Sequence, residues 1–216
     1  MINFETTLKL LYNLKNNKYN KDNLRQSLEA AEQTADLEDV YTRNILKNIS
    51  IENKEKFLHT IQQKIKEVQE SSQKIAMHLT ELLPKNSSIL LPTISPFVIQ
   101  VVQQLDRHTI YIPENIPQTT ITSLSNKHNV ITTSTSQNSD FDVSILPCSF
   151  NEKSINTDIK IYNKVKNNKI LFISPIHNHT NKKGKIFNGK IVTEKGCYSH
   201  QSLIEEFKNL ISSSSS

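Results

Sequence analysis

Glycine is nearly missing from this chain. Among 216 residues there are three, Gly184, Gly189 and Gly196, all toward the C-terminal end. A GxGxxG turn or a P-loop needs several glycines, so that backbone N–H groups can approach a phosphate. Neither can be written with these three, which excludes the standard dinucleotide and P-loop nucleotide sites. The GxSxG elbow of a serine hydrolase is absent too. There is no tryptophan, and the two cysteines, Cys148 and Cys197, stand too far apart and too few to frame a disulfide scaffold. No apolar run approaches the roughly 18 residues of a membrane span. The stretch "MINFETTLKLLYNLKNNKYNK" lacks the basic flank, apolar core and cleavage site of a signal peptide. The expectation is a cytoplasmic protein with reduced thiols.

Charge is uneven. The net charge is +5, yet residues 1–84 carry 12 basic and 12 acidic side chains, so the excess lies wholly downstream. Nine lysines face one acid, Glu194, within residues 160–195. Such a face suits a phosphate, a nucleic acid or an acidic partner. Only Tyr162, Phe172 and Phe187 fall among these lysines, too few for a regular interleaving of base-stacking rings, so a solvated surface is the first reading and nucleic acid is not an expected partner.

The first 84 residues read as helical. Phe57, Ile61, Ile65, Val68, Ile75, Leu79 and Leu82 recur in steps of three and four, with Ser72 filling the one gap. That spacing predicts a long helix with a single apolar stripe, ended by Pro84. Leucines and other apolar residues upstream suggest shorter helices, together a bundle of three or four. Beyond Pro84 the period changes. Strands are expected near 88–91, 109–112, 130–133, 142–146 and 170–173. Between them lie helical stretches, "SPFVIQVVQQL", "PQTTITSLSNKH" and "INTDIKIYNKVKNN". Short apolar strands alternating with helices imply βαβ crossovers and a mainly parallel sheet. "GKIVTEKG" reads as one last strand before a helix, "SHQSLIEEFKNLI". The expected organisation is a helical domain over 1–84, an α/β domain over 85–211 and a disordered serine tail over 212–216.

Several residues invite a chemical reading. Ser95 follows the first strand, but Pro96 behind it suggests a helix cap rather than a nucleophile. Cys148 closes the strand "FDVSIL", at the end of the sheet where α/β proteins bind ligands. It reads as a small core residue, or as a nucleophile if a base or positive charge lowers its pKa. His177 with His179, and Cys197 with His200, offer zinc-ligand types, but their spacing fits no common zinc module. No metal is expected.

Taken in order, these stretches resemble one family. "KIAMHLTELLPKNSSILL" is similar to its entry into the first strand. "TIYIPENIP" matches its "vyvtEsrP", keeping Glu114 and Pro117. "DFDVSILPCSF" resembles its "GaD" strand, and "GKIVTEKGCYSHQSL" its C-terminal "tEkG" signature, keeping Thr193, Glu194, Lys195 and Gly196. The family is that of the regulatory (alpha, beta and delta) subunits of eukaryotic translation initiation factor 2B. It includes archaeal homologues and the isomerases of ribose 1,5-bisphosphate and methylthioribose 1-phosphate. The similarity runs from about Phe57 to Leu203.

The resemblance implies a helical N-terminal domain and a Rossmann-like domain of the NagB/RpiA/CoA-transferase kind. It also implies a degenerate ligand site at Thr93, Ser95, Glu114, Asn115 and Cys148. Where the isomerases carry a catalytic cysteine and aspartate, this chain has Thr93 and Cys148; their phosphate-binding arginine falls at Ile116. A chain without acid, base or phosphate anchor has lost what proton transfer on a sugar phosphate requires. The resemblance thus implies a non-catalytic regulatory subunit needing no cofactor. Its implied partners are other initiation factor 2B subunits and the alpha subunit of initiation factor 2. Dimerisation, with itself or a sister subunit, is implied beside the "TEKG" segment, with Tyr198, Leu203 and Phe207 as candidate contacts. The rival readings are a sugar-phosphate isomerase with displaced catalytic residues and a nucleic-acid-binding α/β protein.

Overall fold

In the computed structural model, the described residues are 54–133, 141–150, 154–174, 187–203 and 205–206, with Gln26. The chain divides into two compact units, Met1–Glu70 and Ser71–Ser216. The expected upstream helices, the serine tail and Phe207 lie outside the described residues. Helix α1, Lys54–Leu82, carries the predicted stripe. Phe57, Val68, Ser72, Ile75 and Leu79 are buried, and Lys66 and Glu70 pair on the opposite, solvated side at 3.7 Å.

Among the described residues nine strands follow. They are β1 Ser88–Leu90, β2 Thr109–Pro113, β3 Asn129–Thr133, β4 Val143–Pro147, β5 Ser149–Phe150, β6 Ile155–Asn156, β7 Ile170–Ile173, β8 Lys190–Thr193 and β9 Gly196–Tyr198. The interspersed helices are α2 Pro96–Val102, α3 Gln118–Ser125 and α4 Ile159–Val165. The sheet runs β3-β2-β1-β4-β7-β8-β9, parallel throughout except for β9, while β5 and β6 form a small antiparallel pair apart. The expected mainly parallel α/β fold is therefore the observed one. Chain order moves outward from β1 to β3, then returns to place β4 on β1's other side. That reversal makes a switch point between β1 and β4, where ligands of doubly wound folds bind beyond the strands' carboxyl ends.

Residue alternation explains why helices cover both faces. Ile89, Leu91, Ile110, Ile112, Val143, Ile145, Leu171, Ile173 and Val192 face one core, shared with α1, α2 and α3. Their alternates Leu90, Leu146, Ile170, Phe172 and Ile191 face a second core with Val165 of α4 and Leu203. Strands buried on both sides need apolar residues at every position, hence the runs "ILLP" and "ILFI". At the amino edge Asp142 accepts from the Ser88 N–H (2.7 Å) and hydroxyl (2.8 Å), tying β4 to β1. Helix α4 starts at Asp158, whose carboxylate accepts from the N–H groups of Lys160 (2.7 Å) and Ile161 (3.1 Å).

Two expectations are corrected. "GKIVTEKG" is not one strand: β8 and β9 form a hairpin turning at Glu194 and Lys195, with Thr193 Oγ1 accepting from Lys195 N–H at 3.1 Å. Glu-Lys gives no Asn-Gly or Asp-Gly turn signal. The helix expected over "INTDIKIYNKVKNN" begins only at Ile159, because Ile155 and Asn156 pair with Phe150 and Ser149.

Gly189 is dictated by packing. A Cβ there would lie 2.7 Å from Phe172 Cε2, and its φ of +156° disfavours other residues. The Phe172 ring is itself packed in a cluster with Tyr162 (centroids 6.3 Å) and Phe187 (5.9 Å), which resists its retreat. Gly189→Ala is expected to cost about 2 kcal/mol by overpacking, measured by urea unfolding. Combining it with Phe172→Leu should cost less than the two single losses added.

Candidate functional site

At the switch point, the carboxyl end of β1 leads through Leu91, Pro92, Thr93, Ile94 and Ser95 into α2. Leu91 N–H still donates to Tyr111 O at 2.8 Å, so the sheet pairing reaches the turn. Pro92 is buried, and Thr93 and Ser95 are half-buried. Ser95 occupies the N-cap position with extended dihedrals, φ −105° and ψ 136°, but its hydroxyl accepts no bond from the first turn of the helix. The capping read from sequence is thus one of position and not of a side-chain bond. Pro96 removes one of the N–H groups that would meet an anion, and α2 has only 7 residues. The turn is a poor phosphate cradle.

Across the switch point, β4 ends at Pro147 and Cys148 follows it directly. Its N–H donates to Ile173 O at 3.2 Å, and its thiol shares a hydrogen bond with the Ser174 side chain. Burial pushes the Cys148 thiol up to about 12, outweighing the lowering by Ser174. With its pKa held there, at neutral pH it is a protonated, apolar filler. Of the two sequence readings of Cys148, the core residue fits these surroundings. Ser174 was not singled out from sequence. Its only signal was its place directly after the strand "KILFI".

The remaining candidates lie beyond β2. Glu114 and Asn115 are exposed, whereas Ile116 is half-buried against the core shared with α1–α3. The structure thus brings Thr93, Ser95 and Cys148 to neighbouring strand ends and leaves Glu114 and Asn115 on the surface. Nearby, Thr157 Oγ1 donates to Pro147 O at 2.9 Å. Of the association candidates, Tyr198 is half-buried against the second core, and Leu203, 1% exposed, is part of that core. Leu203 is therefore corrected from a contact residue to a core residue: it stands on the inward side of a helical turn whose neighbours Gln201 and Ser202 are exposed. Neither cysteine is in a disulfide, with Cys148 buried and Cys197 exposed. Among the described residues there is no cluster of three or more His, Cys, Asp or Glu able to hold a metal. His177 and His179 lie outside them. No described helix is long and apolar enough to cross a membrane.

The difference between the two thiols is measurable. Iodoacetamide applied to the folded protein at pH 8 should modify Cys197 and leave Cys148 intact, as read by peptide mass spectrometry. In urea both should react at similar rates, since both regain an ordinary thiol pKa. Labelling of Cys148 in the folded state would show an ionised, accessible thiol and refute the inert reading.

No protein-family model matches the sequence, and no curated protein is similar to it. Solved structures are similar in fold. The eIF2B beta subunit of Chaetomium thermophilum superposes with a TM-score of 0.59 at 11% identity, over 90% of this chain and 78% of that one. A translation initiation factor eIF-2B of Pyrococcus horikoshii OT3 gives 0.58 at 10% identity, over 93% and 99%. A chain of the tetrameric eIF2B-beta2-delta2 complex from C. thermophilum gives 0.54 at 11% identity, over 93% and 86%. At such identities the likeness is one of fold, and the fold of this chain is that of eIF2B beta, delta and archaeal eIF-2B proteins.

Proposed function

We propose that the chain is a non-catalytic subunit of an eIF2B-like assembly, acting in translation initiation through contacts between proteins. The observation that carries this reading is the chemistry of the switch point. A protonated thiol stands where the resemblance puts an isomerase aspartate, Thr93 where it puts a cysteine, and Ile116 where it puts a phosphate-binding arginine. A sugar-phosphate isomerase has to move a proton between two carbons, which takes a group able to accept it near neutral pH. A thiol held up at about 12 does not do so.

With the cleft chemically silent, function falls to the surface. The tetrameric complex from C. thermophilum is assembled from beta and delta subunits, and we carry that mode of association to this chain as part of the proposal. The partners are a second copy or a sister subunit, together with initiation factor 2, whose alpha subunit would be sensed by the assembly. The contact runs beside the β8–β9 hairpin, with half-buried Tyr198 contributing. Phe207 remains a candidate from sequence alone. The lysine excess of residues 160–195 suits an acidic protein partner. Stable interfaces of this kind bury roughly 800 Å² per partner around an apolar centre.

Two measurements test the reading. Purified protein should leave ribose 1,5-bisphosphate and methylthioribose 1-phosphate unchanged. Turnover that Cys148→Ala abolishes would replace the proposal with an isomerase. Light scattering at micromolar concentration should find a dimer, and affinity capture from native cells should recover initiation factor 2B subunits. Tyr198→Asp, with an unaltered circular dichroism spectrum, should weaken association at least about tenfold, as loss of a buried aromatic contact does. A monomer that captures no such subunit sinks the proposal.

A further inference from the structure

Two histidines with no part in the proposed function sit at the amino edge of the sheet, opposite the candidate site. His108 stands directly before β2 and His128 directly before β3. Both are buried, 6% and 4% exposed, with rings stacked at 6.3 Å and 17°. The backbone N–H of His108 donates to His128 Nδ1 at 3.3 Å, so that nitrogen presents a lone pair. The ring proton of neutral His128 is then on Nε2, which donates to Val102 O, at the end of α2, at 2.9 Å. His108 Nδ1 lies 3.1 Å from Ser87 Oγ, just before β1. Asn129 N–H in turn donates to His108 O at 3.0 Å. One imidazole thereby fastens the end of α2 and the start of β2 to its own place at the start of β3.

An added proton cannot be accommodated in this arrangement. It has to go to Nδ1, where it would meet the His108 N–H head-on, two donors facing each other. The charged groups acting here are few. Burial is the chief opponent of a positive charge on His128; the bond to Val102 O favours the charge, and the ring of His108 and the neighbouring Lys127 oppose it. Asp106 favours a charge on His108 but does not offset the burial of that ring.

We propose that His128 is a proton-operated latch on this half of the sheet: protonation at Nδ1 breaks the bond from His108 and frees the start of β3 and the end of α2 from β2. In the latched state the ring is neutral, its affinity for a proton lowered chiefly by burial. Once opened, it titrates near the ordinary histidine value of 6.5. Opening is therefore linked to proton uptake. The latch is at full strength above about pH 6.5 and weakens as the pH falls below it. For one histidine the opening equilibrium rises between pH 7.5 and 5.5 by up to about tenfold, the ceiling reached when the closed ring takes up no proton in that range. β4, β7 and β8 contain no part of the network and stay closed.

The test is amide hydrogen exchange on the full chain by NMR at pH 7.5 and 5.5, corrected for the intrinsic pH dependence of exchange. The amides of His108 and Asn129 should open more at pH 5.5, by up to about tenfold, while those of Leu171 and Phe172 in β7 keep their protection. His128→Asn retains an acceptor near the Nδ1 position and cannot titrate, so the response should vanish in that variant. Exchange at His108 and Asn129 that ignores pH in the native chain, or responds equally in the variant, overturns the latch. If the variant does not fold, ring nitrogen shifts of the native protein decide. A His128 that is Nε2-protonated at pH 7.5 and gains its second proton below pH 6.5, together with amide opening, upholds the latch. A ring that protonates at 6.5 or above, or without opening, overturns it.

Discussion

A parallel sheet can hold together only if both its faces are taken out of water, and every other feature of this domain follows from that demand. Ile89 and Leu91 point into one core and Leu90 between them into the other. At roughly 25 cal/mol per Å² of apolar surface, such doubly buried strands are the main source of cohesion. They leave no room for a charged group along their length. Polar chemistry is forced to the two edges. At the carboxyl edge stand Thr93, Cys148 and Ser174; at the amino edge, the Ser88–Asp142 clasp and the paired histidines. A functional reading of this fold is a reading of what those two rims contain.

Much of the sheet was legible because buried parallel strands write themselves as apolar runs, such as "SILL", "TIYIP" and "KILFI". The stripe on α1 was legible for the same reason at a different period. What sequence misplaced were features set by pairing rather than by composition. Ile155 sits in a stretch that looks helical, yet it is claimed by Phe150 across a two-residue ladder. The turn at Glu194 and Lys195 carries no glycine of its own; Gly196 follows it at the start of β9, and the hydroxyl of Thr193 does the local bonding. At the candidate site, the position of Cys148 could be read but its surroundings could not. Its inertness depends on burial, which outweighs the opposing bond from Ser174, and that burial is completed by elements that follow much later in the chain. The histidine pair left a faint trace, a histidine directly ahead of each of two neighbouring strands, "HTIYIP" and "HNVITT". A single sequence gives no reason to connect them.

A thiol at the end of β4 also makes energetic sense. A carboxylate in that position would have to be held ionised in a site where burial drives even a thiol up to about 12. Removing an ion from such surroundings spares a desolvation cost of several kcal/mol. Replacing reactive carboxylates with neutral side chains commonly exchanges activity for stability. The switch point is then free to become core, and Cys148 indeed packs with Leu146, Ile155 and Phe172.

The reversal of strand order has a consequence in time as well as in space. Ser87 and His108, which join the β1 and β2 ends, are 21 residues apart, while Ser88 and Asp142, which join β1 to β4, are 54 apart. Closing the longer loop costs about 0.8 kcal/mol more chain entropy, from the logarithm of that ratio. Its partner strand also emerges later from the ribosome. Until β4 arrives, β1 presents one paired and one bare edge, an apolar "SILL" ribbon with unmet backbone donors and acceptors. A strand that the finished sheet encloses on both sides is thus one that a half-made chain leaves open while roughly the next 50 residues are made.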